Sequence, residues 1–560
     1  MSDPFVLFGR SFRPLPLLLL SLAASPLVAG STVVGTGTPA SCTEAALDAA
    51  VTVANGSFGI VTFHCGAAPK VIVLSHERAL ANGVIVDGGN LVTLSGGNFT
   101  RIFQLFQGSA VEIRNIQLVN GSAAGGGAIL SLGSSEDPST LTLSNVRLAD
   151  NISSLYGGAV AVAQTHLAIV NSRIEGNTAG AEGGGGVSAN SATLTLTNVD
   201  FANNSAVGEG GGLVSWYQTA TLTDVTLRGN ESVGGSGGGA SVRDGTLWGY
   251  RLRVDSNRSS GDGGGLWLWE GTVASIEDSS LRWNTQQSGY GAGLYVDPAG
   301  SVGLVDTTVA WNRGLGSSAS SGGGGIANLG ILQLDNCTVS GNRTGPLGKG
   351  GGIANLGNGL VGLYNSTVAY NEAALGGGLS WETTSFTDVL SALFVGNAAP
   401  GVDDSCGGNP AAAVFNWSVW NDASCPAGSG VGNQSSTAVA IAPLAKTCTG
   451  LATELTETHA IPAASAAIDS GVCVGGLVLD QRGVRRRRGR VRHYRVLGAL
   501  PRRLRGRRRL ALVGGRSLNP VPVSGSRPDD VRSSALRSVR LNRQAAENAR
   551  PQPHPTGDRP

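Results

Sequence analysis

The chain has 560 residues, 86 of them glycine, and only 14% are charged. Ordinary usage is about 7% glycine and about 25% charge, so a helical bundle or a charged disordered protein fits poorly, and the abundance of Val, Leu, Thr, Ser, Asn and Gly points to an all-β chain. The formal net charge of +2 joins two unlike segments, since residues 485–560 carry +17 and residues 1–484 carry −15.

In chain order, residues 1–30 read as a secretory signal peptide. Arg10 and Arg13 give a basic stretch before the apolar run Leu15 to Leu22, and the small residues Ala29, Gly30 and Ser31 follow. The run is short for a bilayer span and is interrupted by Pro16. The expectation is therefore export, with the protein secreted or at the cell surface and no transmembrane segment after cleavage. Residues 31–115 are expected to form N-terminal capping coils. Cys42 and Cys65, which lie in them, are disulfide candidates for an oxidising compartment.

Residues 116–400 repeat. Ten asparagines recur every 26 to 30 residues: Asn151, Asn177, Asn204, Asn230, Asn257, Asn284, Asn312, Asn342, Asn371 and Asn397. Each follows an apolar residue three positions back, from Leu148 through Phe201 to Phe394. A glycine cluster precedes each, as in GGGL at 263–266. The stretch 263–284 holds three short strand-like runs with tight turns. That pattern predicts a right-handed parallel β-helix, a solenoid of ten or more coils. The asparagines are expected to stack as a structural ladder at one corner, to tolerate left-handed backbone and to bond amide to amide. A second column lies six residues earlier: Asn145, Asn171, Asn198, Asp224, Asp278, Asp306, Asn336 and Asn365, with Arg251 and Ser391 as exceptions. The glycine clusters are expected where coils press together. A phosphate cradle would need a strand-to-helix context and usually a lysine, and both are missing.

Aligning coils on their glycines puts Trp216, Arg243, Trp269 and Asp297 in one column and Val214, Ser241, Trp267 and Tyr295 in the next. If Leu266 and Leu268 point inward, Trp267 and Trp269 point outward. Trp216, Arg243, Trp267, Trp269 and Tyr295 are thus the expected ligand-binding residues, suited to stacking on a sugar chain. Packing of these aromatics beneath a loop is the competing expectation. No catalytic set emerges. Asp224, Asp278 and Asp306 fall in the corner column, and Glu182, Glu209 and Asp262, just before glycine clusters, are expected to form a solvated edge. No metal site or cofactor is expected.

Residues 401–484 form an expected cysteine-containing C-terminal domain, with Cys406, Cys425, Cys448 and Cys473 as further disulfide candidates and connectivity left open. Cys337, inside a coil, reads as a buried small apolar residue. Residues 485–560 hold 21 arginines and no lysine. A disordered tail is expected there. A basic arm would suit nucleic acid, but no specific nucleic acid is expected of an exported chain. Arginine-rich, patternless sequence also suits a GC-rich gene read in a shifted frame.

The GG-[AVLI] and [FLIV]-x-x-N motifs, the latter in its stricter form in FANN (201–204) and FVGN (394–397), resemble those of polymorphic outer-membrane proteins and related exported β-helix repeat proteins. GIVTFHC (59–65), VIVDGGNLVTLSGG (84–97) and TRIF (100–103) resemble the N-terminal region of bacterial choice-of-anchor right-handed β-helix proteins. THAIPAASAAIDSG (458–471) and LDQRG (479–483) resemble their C-terminal domain. The resemblance covers about residues 40–484. It implies a pectin-lyase-like β-helix in a secreted or surface protein, with adhesion or carbohydrate and surface binding as its function and glycans or cell-surface molecules as partners of a monomer. The fold also occurs among polysaccharide lyases and hydrolases, which makes such an enzyme the alternative.

Overall fold

The structure, a computed structural model, describes residues 30–318, 321–400, 402–426, 430–446, 456–462 and 464–467. Residues 1–29, on which the expected signal peptide falls, Cys448, Cys473 and the arginine-rich tail lie outside the described residues. The chain is nearly all β, with 49% strand and 5% helix, and forms a parallel β-solenoid of about 14 turns.

Each turn contributes strands to three long sheets. A 13-stranded sheet runs from Arg78–Leu80 to Cys406–Gly408 with every neighbour parallel. A 25-stranded sheet forms a second wall. Its longer strands, such as Ser139–Ala149 and Thr219–Arg228, bend at Asn145 and Asp224, where φ is 53° and 55°. From Thr246–Tyr250 and Arg253–Asp255 onward the bend divides each strand in two. An eight-stranded sheet of mostly two-residue strands closes the third side. The sequence did not suggest a helix, yet Glu44–Ser57 is one. Thr43 caps its N-terminus by accepting from the Ala46 amide, and Leu47, Ala50, Val51 and Ala54 bury its apolar face at the N-terminal end of the core.

Alternation within the strands builds one continuous core from Val34 to Cys425. The apolar residues three before the ladder asparagines are at most 1% exposed. The ladder itself is buried. From Asn151 to Asn371, each Nδ2 donates to the Oδ1 of the next ladder residue at 2.9–3.0 Å. The same oxygen accepts the preceding asparagine's backbone N–H at 2.9–3.1 Å. The second Nδ2 proton goes to a core carbonyl, as from Asn177 to Leu148 at 3.1 Å. From Asn177 onward all four bonding positions of the amide are filled.

One expectation is corrected. The ladder asparagines do not take left-handed backbone; the residue before each does, from Asp150 and Gly176 to Tyr370 and Gly396. The side chain can then turn inward while its neighbour absorbs the corner. The second column is left-handed throughout, including its exceptions Arg251 and Ser391. Arg251 compensates by pairing with Asp224 one coil back and covering the Tyr250 ring at 4.2 Å.

Glycine cluster and ladder are two sides of one contact. A Cβ at Gly265 would lie 2.6 Å from the Gly293 carbonyl oxygen and 3.0 Å from the Asn284 amide, so only glycine lets the coil close on the ladder. Disulfides join Cys42 to Cys65 and Cys406 to Cys425, and Cys337 is a buried free thiol. No described helix is long and apolar enough to cross a membrane.

Candidate functional site on the outer face of the 13-stranded sheet

Four adjacent strands carry the expected aromatic strip: Leu213–Trp216, Ala240–Arg243, Leu266–Trp269 and Leu294–Val296. Their register places Trp216 beside Arg243, Arg243 beside Trp269, and Trp267 beside both Ser241 and Tyr295. Leu266 and Leu268 are buried inward, whereas Trp267 and Trp269 lie on the outer side and are half-buried. The structure therefore brings all five residues together.

The aromatics do not stand free. Trp267 and Trp269 stack on each other with ring centroids 4.4 Å apart. The Arg243 guanidinium sits 4.3 Å from the Trp269 ring and 5.5 Å from that of Tyr217, and its Nε donates to Glu270 Oε2 at 2.6 Å. Val214 and Ser241, the outward residues of the neighbouring column, are fully buried. The segments leading into the glycine clusters roof them, so packing beneath a loop is part of the answer. Further along, Ala327 and Ala354 form a small apolar cluster beneath Tyr290 and Tyr295.

That roof corrects a second expectation. Glu182 is exposed, but Glu209 and Asp262 are half-buried and do not form a solvated edge. Ser241 Oγ donates to Glu209 Oε2 at 2.5 Å. Burial pushes the Glu209 carboxyl above its ordinary range, while Ser241, Arg243 and Trp269 pull it back. Burial likewise pushes Asp262 up, against a bond from the Tyr290 amide at 2.8 Å. Tyr295 is pushed up by burial and by Asp262 and Asp297 nearby. The backbone ladder passes from Gly210 to Ser236 and from Gly237 to Asp262. The two carboxyls are thus two coils, or about 9.6 Å, apart along the axis. The indole nitrogens of Trp216 and Trp267 are buried with no protein partner among the described residues. The signal that could have revealed Glu209 and Asp262 is their position directly before a glycine cluster, next to a column of outward residues.

Two other places collect polar groups. A groove of about 440 Å³ follows the bend of the long strands, between Asn145, Asn171 and Asn198 on one side and Arg147, Arg173 and Asp200 on the other. Ion pairs already occupy its charges, with Arg147 on Glu175 and Arg228 on Asp200. At the N-terminal helix, ligand atoms of Glu44, Asp48 and His76 lie within 4.8 Å of one another. Arg78 fills that cluster, with Nη2 at 2.5 Å from Glu44 and Nε at 2.8 Å from Asp48.

Fold and face together define a parallel β-helix protein with a mixed aromatic and acidic patch on one outer wall. No protein-family model matches the chain, and no curated protein matches it. Among solved structures it is similar to the catalytic domain of Agl-KA, at 14% identity over 70% of this chain and 64% of that one, with a TM-score of 0.24. It is also similar to a mutant of AlyGC, an alginate lyase of family PL6, at 10% identity over 73% of this chain and 91% of that one, with a TM-score of 0.21. The chain spans less than two thirds of the Agl-KA domain. TM-scores this low carry nothing about chemistry, and the fold stands on the strand register described above.

Proposed function

We propose that this is an exported or cell-surface β-helix protein that binds neutral glycans on the outer face of the 13-stranded sheet, across repeat coils four to seven. The observation that carries the reading is the Trp216–Arg243–Trp269 column flanked by Trp267 and Tyr295 in register. Ring edges and hydrogen-bonding groups alternate there, the mixture that recognises a sugar's apolar face and its hydroxyls. Glu209 and Glu270 act on the one guanidinium, and Asp262 and Asp297 lie near Tyr295 on the same face, an acidic balance that disfavours a polyanionic chain. Export agrees with the signal-like N-terminus, with the resemblance to surface repeat proteins, and with two disulfides that suit an oxidising compartment.

The test is a glycan array probed with the full chain, followed by the Trp216→Ala and Trp269→Ala variants. Retention on neutral glycans should fall tenfold or more in each variant while thermal unfolding still shows a folded solenoid. Unchanged retention would end the proposal.

One observation favours hydrolysis as a second reading. Glu209 is held toward its protonated form by burial, and a second acidic residue, Asp262, lies two coils further along the same face, the pairing of acid and base that glycoside hydrolysis uses. On a glycan that the array retains, hydrolysis would release reducing ends, and Glu209→Gln would abolish release yet keep retention. Retention without release leaves binding alone.

A further inference from the structure

The backbone residue before each ladder asparagine is left-handed, and most coils fill it with a residue that tolerates this: Asp150, Gly176, Asn203, Gly229, Ser256, Gly341 and Gly396. Two adjacent coils place tryptophan there. Trp283 has φ 57° and Trp311 has φ 60°. Left-handed backbone is costly for a bulky side chain. Burial does not offset that cost, because the two residues are 53% and 39% exposed. Strain kept at a half-open surface, with only the rings' stacking to set against it, points to a use.

The arrangement of the pair is specific. The rings stack with centroids 5.4 Å apart and planes 10° from parallel. Trp311 lies over Gly341, whose missing Cβ would sit 2.5 Å from the indole. On the other side, one coil before Trp283, stands Ser256, an exposed short side chain bonded to its own neighbour Asp255. The outer face of Trp283 is therefore open. Tyr370, further along the same corner, is accounted for differently: its ring meets His459 edge-on at 5.4 Å.

Charge identifies the occupant. Just past the ladder, the short strands line up Glu231, Arg258, Thr285, Arg313, Arg343 and Glu372 in one column. Arg258 pairs with Glu231, and Arg343 pairs with Glu372. Arg313, exposed and two residues past Trp311, has no carboxylate within ion-pair distance among the described residues. A stacked indole platform with an unspent guanidinium beside it fits a saccharide that carries its own anion.

We infer that the ladder corner at Trp283, Trp311 and Arg313 is a second binding site, for an acidic polysaccharide running along the corner, with one sugar ring on the open face of Trp283 and the carboxylate or sulfate of a sugar further along the chain, in the next coil, on Arg313. This site is separate from the outer-face patch and does not depend on the reading given for it.

The test is affinity electrophoresis of the full chain in gels containing polygalacturonate, alginate or heparin, with dextran as the neutral control. Ionic strength is held equal for every variant, so that the arginine-rich tail, which all of them share, contributes the same background to each. Trp283→Gly with Trp311→Gly copies residues found at this corner in other coils, so folding is kept and the unfolding temperature should stay level or rise. Retardation by at least one acidic polysaccharide should drop several-fold in that double variant and in Arg313→Gln, while Trp269→Ala leaves it unchanged. Equal retardation of wild type and corner variants overturns the inference, as does absence of retardation in all three acidic gels. A concentration-dependent dimer that the double variant abolishes, without any polysaccharide effect, also overturns it and makes the corner a protein interface.

Discussion

A primary amide has two donors and two acceptor lone pairs, and a ladder asparagine uses all four inside the wall of the solenoid. Removing one such side chain strands partners on both neighbours. In Asn257→Ala, the Asn230 backbone N–H and Nδ2 both lose their acceptor, and the Leu227 carbonyl loses its donor. Unsatisfied buried groups cost about 1–3 kcal/mol each, so a loss of about 3 kcal/mol or more is expected. Because each coil touches only its neighbours, the effect should be local. Amide hydrogen exchange should quicken around coils 204–284 and stay unchanged near residue 100. Uniform loss of protection along the chain would contradict the ladder's role. Much of this was legible from spacing alone, since an asparagine that recurs at one corner has few other physical uses. The left-handed residue beside it was harder to place. At Asp150, Asn203 and Ser256 it has an ordinary turn composition, and only at Trp283 and Trp311 does the sequence break that rule.

At the scale of elements, the C-terminal hairpin of Leu444–Lys446 and Glu457–His459 clips onto the second wall of the solenoid. Glu457 Oε1 accepts from Arg282 at 2.8 Å, and the Glu457 carbonyl accepts from Thr308 Oγ1 at 2.9 Å. His459 is buried between the Ser340 hydroxyl at 2.8 Å and the Ala442 carbonyl at 2.7 Å, with the Tyr370 ring at its edge. Burial pushes this imidazole below its ordinary 6.5, only partly offset by the Ala442 carbonyl. The folded state therefore binds fewer protons than the open one. The clip's stability is fully present above about pH 6.5 and declines as pH falls below it. Protease cleavage within the hairpin should accelerate between pH 7 and roughly pH 5, and His459→Gln should flatten that dependence. A pH-independent cleavage rate in the parent protein would argue against it. The hairpin's docking was not readable from sequence, because the pairs Arg282–Glu457 and Ser340–His459 join residues more than 100 positions apart. The N-terminal helix escaped notice for a related reason: Glu44–Ser57 has only a modest apolar stripe of alanine, valine and one leucine amid strand-like sequence.

At the scale of the whole molecule, the repeat made the fold legible and the outer face only half so. Period, glycine cluster and asparagine column all record contacts between neighbouring coils, which recur in sequence because they recur in space. The alignment of Trp216, Arg243 and Trp269 followed from the same period. What the outer face does with those side chains depends on the roof over them, and the position of Glu209 and Asp262 just before a glycine cluster marks their place in the repeat but not their burial. The same reasoning separates the two proposed surfaces: the outer face is rich in carboxyls, whereas the ladder corner offers a guanidinium with no carboxylate partner among the described residues. The most direct measurement is a crystal structure of the full chain with a neutral oligosaccharide that it retains on an array. The sugar is expected against Trp216, Arg243 and Trp269, with hydroxyls within hydrogen-bond reach of the partly exposed Arg243 and Glu270 side chains. Sugar density in the Asn145–Asn198 groove instead, with the outer face empty, would contradict this reading of the molecule.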